Sequence, residues 1–120
     1  MFGAICGDTI GSTYEFDNTK DYGFELFPKG SSYTDDSVMT LAVAKWLLTD
    51  AGHTHGVLEN CMVELAEEYP CPVGGYGGMF REWLFRPRAL NGRNGSPVDG
   101  KRHPYGSWGN GSAMRASACG

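Results

Sequence analysis

The sequence has no apolar run approaching a membrane span, no basic-then-apolar leader and no block of like charge. A span needs about 20 consecutive apolar residues, so no membrane association is expected, and without a leader the protein is expected in the cytoplasm. Ten Lys and Arg against 14 Asp and Glu leave a formal charge of −4, and the basic residues are scattered. No electrostatic footprint for nucleic acid follows, although a phosphate-bearing small molecule stays open. Also missing is any Cys-x-x-Cys pair. Cys6, Cys61, Cys71 and Cys119 lie far apart, which argues against a zinc ribbon and a secreted disulfide framework; they are read as reduced, mostly buried thiols. The sequons at Asn94 and Asn110 carry no weight without a secretory route. No stretch alternates polar and apolar residues as a strand does, and nothing repeats internally. The expected class is all-α.

What the chain does have is glycine, 18 of 120 residues, in a sequence whose apolar spacing is helical. Loops that approach a ligand closely are one use for so much glycine. Gly3, Gly7 and Gly11 recur every fourth position in a first helix expected over residues 2 to 14, leaving one face bare for a close neighbour. Residues 17 to 33 read as a loop tethered by Phe24, Leu26 and Phe27. From Asp36 to Leu48 nearly every position is apolar, as in a helix buried on most sides, with Gly52 as its stop. Val57, Leu58, Cys61, Met62, Leu65, Ala66 and Tyr69 mark an amphipathic helix ended by Pro70 and Pro72. A short helix is expected over 76 to 85, then a functional or inserted loop over 86 to 108, then a last helix from about Asn110 running about three turns.

Three groups of residues could do chemistry. Thr34, Asp35 and Asp36 put a hydroxyl and two carboxylates at one helix entrance, a set of hard oxygens suited to Mg²⁺ or Mn²⁺. The same three residues also suit a purely structural N-cap. Asp8 and Glu15 are seven apart, which two turns of helix place on roughly one face; alternatively Asp8 caps or pairs with a core arginine and Glu15 is solvated at the helix end. Glycine clusters precede two helices, Gly74-Gly75-Tyr76-Gly77-Gly78 and Gly106-Ser107-Trp108-Gly109-Asn110-Gly111-Ser112. Exposed N–H groups at such entrances attract anions, although turn formation explains glycine there as well. Tyr76, Tyr105 and Trp108 could stack on a base or simply pack. Arg115, one turn into the last helix, is expected in a structural ion pair, with direct phosphate contact as the lesser reading.

Taken together, Gly3-Ala4-x-x-Gly7-Asp8-x-x-Gly11-x-x-x-Glu15, Tyr33-Thr34-Asp35-Asp36-x-x-Met39-Thr40, Tyr69-Pro70 with Gly75-Tyr76-Gly77, and Gly109-Asn110-Gly111-x-Ala113-Met114-Arg115 resemble, in order and spacing, the ADP-ribosylglycohydrolase family. The resemblance implies a compact helical fold and hydrolysis of the glycosidic bond between ADP-ribose and an acceptor, a protein side chain or related conjugate. It implies a two-metal Mg²⁺ centre, Mn²⁺ being possible, ligated by Thr34, Asp35 and Asp36, and it makes Glu15, Asp35 and Asp36 the catalytic candidates. By the same resemblance Gly75, Gly77, Ser107, Gly109, Asn110 and Gly111 contact the ADP-ribose. Family members complete the metal centre with a later Asp-x-Asp cluster, which this sequence does not contain. Residues 1–120 are therefore expected to be the amino-terminal portion of a single domain, poorly soluble and inactive as it stands. Two other readings share the resemblance: a catalytically silent, crystallin-like member, and an ADP-ribose-binding module without turnover.

Overall fold

The computed structural model describes residues 1–87 and 102–120, and among them the regular structure is helical throughout. The helices are α1 (Phe2–Gly11), α2 (Asp35–Thr49), α3 (His55–Glu68), α4 (Gly78–Phe85) and α5 (Gly111–Arg115), the last continued by a single 3-10 turn, Ala116–Ala118. α2 is the central element. α3 packs along it most extensively, α5 and the 3-10 turn lie against it, α1 meets its entrance, and α4 leans on α3.

The ends of α2 follow from its sequence. Thr34 stands outside the helix in an extended conformation and its hydroxyl accepts the Asp36 N–H at 3.2 Å, the side-chain cap expected of Thr at this position. At the far end Asp50 is extended, with its N–H still bonded to the Trp46 carbonyl. Its carboxylate accepts the Gly52 N–H at 3.0 Å and both the N–H and hydroxyl of Thr54 at 2.7 Å, so one aspartate shapes the whole turn into α3. Trp46 Nε1 closes the same turn by donating to the Thr54 carbonyl.

The core is Val38 and Met39 from α2, Ala66 from α3, and Tyr76, Phe80 and Leu84 around α4, with Met62, Val63, Leu65, Trp83 and Tyr105 packed at its edge. Met39 and Ala66 are fully buried. Tyr76, whose phenol donates to the Tyr69 carbonyl at 2.7 Å, is a core residue. Arg102 runs over the Trp83 ring and donates to the Trp83 carbonyl, while Trp83 Nε1 donates to His103, which ties the chain after the 88–101 segment back onto α4.

Several expectations are corrected. α1 ends at Gly11, because Gly-Ser-Thr is a weak helix former and the Ser12 hydroxyl turns back to the Thr9 carbonyl. The last helix is one α turn and one 3-10 turn, in a segment rich in Gly and Ser. Leu26 and Phe27 are exposed, and in the 17–33 loop it is Phe24 that packs, edge-on against Tyr14. α2 is buried through its first half, but Leu41 and Leu48 stand exposed one heptad apart. The Gly3, Gly7, Gly11 face meets no neighbour among the described residues. Of the cysteines Cys61 alone is buried; the other three are exposed, and all four are free thiols. Most of the expected 86–108 loop, with Asn94, lies outside the described residues.

Candidate functional site

Asp8 organises the site from behind. Its carboxylate accepts the Thr34 N–H at 2.9 Å, the Thr34 hydroxyl at 2.5 Å and the Ser37 hydroxyl at 2.5 Å. Thr34 and Ser37 are both buried, so these charge-assisted bonds fasten α1 to the first turn of α2. The Thr34 hydroxyl is thus occupied twice, donating to Asp8 and accepting from Asp36 N–H, and it sits behind the acids rather than on the cleft wall.

A lone parallel bridge between Thr34 and Val73 lays the Gly74-Gly75 turn beside the same helix entrance. Both glycines are left-handed, with φ of +76° and +70°, a conformation that costs an ordinary L residue about 1–2 kcal/mol. At Gly74 a Cβ would also lie 2.9 Å from Glu15 Oε2, so the Glu15 carboxylate keeps its present position only beside glycine. Glu15 does not reach this place along α1, as the two-turn spacing with Asp8 had implied. It lies beyond the helix, after a turn closed by the Tyr14 N–H on the Gly11 carbonyl at 2.8 Å, and faces a different way from Asp8.

The outcome is an open cleft of about 680 Å³. Glu15, Asp35 and Asp36 form its acidic wall, Gly74, Gly75, Gly77 and Gly78 another, and Ser107, Gly109, Asn110 and Gly111 a third. Tyr105, Trp108, Phe80 and Arg115 complete it, with the indole of Trp108 almost wholly exposed at the rim. Every candidate catalytic and ligand-contact residue is on this surface; among the metal candidates Thr34 lies just behind it.

The charges in the cleft are under strain. A carboxylate in the first turn of a helix is normally favoured by the positive end of the helix dipole. Asp35 is nevertheless pushed up to about 6, first by burial and then by the charge of Asp36, with Glu15 adding and Arg115 opposing. Asp36 is also raised, first by burial and then by Asp8, with Glu15 adding to the effect and Arg115 again opposing. Burial and like-charge crowding therefore outweigh the dipole, the electrostatic condition of a place that would gain from a cation. Hard carboxylate oxygens of this kind fit Mg²⁺ or Mn²⁺. Among the described residues, however, no three His, Cys, Asp or Glu side chains gather closely enough to hold a metal ion.

Arg115 departs from its expected ion pair. No described carboxylate comes within 4.0 Å of it; its guanidinium lies 4.2 Å over the Phe80 ring and its Nε is buried without a hydrogen-bond partner. Three features of the site left no signal that a single sequence could carry: the Asp8 hydrogen bonds to Thr34 and Ser37, the Thr34–Val73 bridge, and the stacking of Arg115 on Phe80. Each joins residues far apart in the chain. No helix among the described residues is long and apolar enough to cross a membrane.

Comparison with known proteins adds one match. The family model described as ADP-ribosylglycohydrolase aligns with residues 1–120, the whole chain. No curated protein and no solved structure matches it.

Proposed function

Because the chain belongs to the ADP-ribosylglycohydrolase family, we propose that its cleft is part of a metal-dependent hydrolase site that cleaves the bond between the anomeric carbon of ADP-ribose and an acceptor. The observation that carries this reading is the meeting of Glu15, Asp35 and Asp36 with two glycine-rich segments around one opening. The acidic wall suits a cation, and the glycine walls suit a diphosphate, because backbone N–H groups without a Cβ in the way let an anion come close.

Asp35 and Asp36 would contribute ligands to Mg²⁺ or Mn²⁺, while Thr34 behind them caps their helix; such a cation would supply an activated water and an anchor for sugar hydroxyls. Asp8 keeps α2 at the angle that presents both acids. Glu15 lines the same opening and would offer its carboxylate to the reacting groups, its space reserved by the missing side chain at Gly74. Trp108 and Tyr105 offer apolar faces at the rim on which a base can stack. The acceptor is a protein side chain or a related conjugate.

The test is Asp35→Asn in the protein expressed from its full reading frame. ADP-ribose release at saturating Mg²⁺ should fall by about 100-fold or more, because a neutral amide replaces an anionic ligand of the same size. Unchanged release would remove Asp35 from the metal site. A second reading, binding of ADP-ribose without turnover, is favoured by the incomplete ligand set among the described residues. It calls for calorimetric binding of ADP-ribose with no release at any metal concentration.

A further inference from the structure

Among the described residues that line the cleft, Arg115 is the cationic side chain facing the acids Glu15, Asp35 and Asp36. It is clamped by packing. Its guanidinium rests on Phe80, and Nη2 is 2.7 Å from the point a Cβ at Gly111 would occupy, so glycine at that position gives the guanidinium its room. α5 lies directly against α2, which brings this fixed charge to the helix entrance that carries Asp35 and Asp36. Burial works against the cation, while Tyr105 first and then the charges of Asp35 and Asp36 act in its favour. A guanidinium left half-buried, unpaired at Nε and within the field of two crowded carboxylates is poor economy for a residue serving only to pack.

We propose that Arg115 is a positioning residue: a tethered counter-cation, packed on Phe80 in the room left by Gly111, that keeps the Asp35 and Asp36 carboxylates in place when no divalent cation is bound. The inference rests on the reading of these two acids as metal ligands. Removing the positive charge leaves the half-buried acids repelling one another, and an added divalent cation then relieves more repulsion than it does in the unaltered protein.

The experiment is a double-mutant cycle on the protein expressed from its full reading frame, with thermal midpoints read first in a chelator and then with Mn²⁺. Arg115→Met keeps the length of the side chain and its packing on Phe80 while removing the charge. In chelator it should lower the midpoint by about 5 °C, but by less than half as much in an Asp35→Asn background, where one of the repelling charges is already gone. Arg115→Lys, which restores the charge, should recover most of the loss. Mn²⁺ should raise the midpoint of Arg115→Met further than that of the unaltered protein. If Arg115→Met does not fold, Gly111→Ala takes its place: it pushes the guanidinium aside without removing it, and should likewise enlarge the Mn²⁺ response. Equal losses in the two backgrounds, or no recovery with Lys, would overturn the proposal and leave Arg115 a packing residue. A clear coupling with no Mn²⁺ response in any variant supports the Arg115 pairing and defeats the metal-site reading instead.

Discussion

The two ends of α2 both carry aspartate, and the protein treats the carboxylates in opposite ways. At the exit, Asp50 accepts three hydrogen bonds from Gly52 and Thr54 and is held below the usual aspartate range, chiefly by the Thr54 hydroxyl. At the entrance, Asp35 is raised by burial and then by Asp36, and Asp36 by burial and then by Asp8, in spite of a helix terminus that ought to favour their charge. The first arrangement stabilises the fold. The second costs stability, and a costly arrangement built from a well-capped helix is what a ligand site requires. Asp8, only a few ångströms behind the entrance, belongs with Asp50: it collects donors and fastens elements together.

The sharpest way to break this contrast is to compare Asp8→Ala with Asp35→Asn. Loss of the Asp8 carboxylate strands the Thr34 N–H, the Thr34 hydroxyl and the Ser37 hydroxyl, all in buried residues, and each stranded group costs about 1–3 kcal/mol. Even with partial relaxation a loss of about 3 kcal/mol is expected, a fall of roughly 10–15 °C in the thermal midpoint. Asp35→Asn removes a carboxylate the fold does not welcome, so its midpoint should stay level or rise in metal-free buffer. Circular dichroism melts of the two variants decide the matter. If Asp35→Asn destabilises as much as Asp8→Ala, the entrance acids are structural and the contrast fails.

A smaller effect separates two adjacent glycines. Gly74 and Gly75 share a left-handed backbone, so alanine at either should cost about 1 kcal/mol of conformational strain. Only at Gly74 does the new methyl meet Glu15, whose carboxylate must swing away; at Gly75 nothing lies within 4 Å. Gly74→Ala should therefore lose ADP-ribose turnover by about tenfold beyond Gly75→Ala at nearly equal melting temperature. Matching activities in the two variants would detach Glu15 from the chemistry.

How much of this was legible beforehand varied along the chain for physical reasons. α2, α3 and α4 announced themselves through apolar spacing, a Thr cap and the Pro70 and Pro72 stop, all of which are local signals. The glycine clusters and the acid pair were visible as residue types, and the cleft does gather them. Glu15 was expected in the site by the family resemblance and on one face with Asp8 by its two-turn spacing; it lines the cleft from beyond the helix, which stops four residues earlier at Gly11. The Asp8 anchor was out of reach, since its partners lie 26 and 29 residues away and nothing in a single sequence pairs them. Apolar content also misled: Leu26, Phe27, Leu41 and Leu48 are exposed, because hydrophobic identity shows what a residue can bury and not whether a neighbour is present to cover it.

The smallest expected effect lies along the flank of α2 near its exit, where Lys45 Nζ meets Glu64 Oε2 of α3 at 2.6 Å. The distance invites a strong stabilising role, but both side chains are largely open to water, with 44% and 58% of their surface exposed. Such a pair gains little Coulomb energy and gives up side-chain freedom, so its net contribution sits near the bottom of the usual range. The pairing raises Lys45 above its ordinary 10.5, through the Glu64 hydrogen bond first. A raised amine contributes stability that is fully present below the unfolded pKa and disappears only as pH climbs through the folded value, so nothing should change between pH 6 and 9, a window chosen about one unit or more below 10.5. Lys45→Ala, which also places a better helix former on an exposed face, should melt within error of the unaltered protein across that window and at both low and high salt. A salt-dependent drop would mean that α2 is clasped to α3 by charge along this flank, and that Asp50 with its three donors is not sufficient to hold the exit.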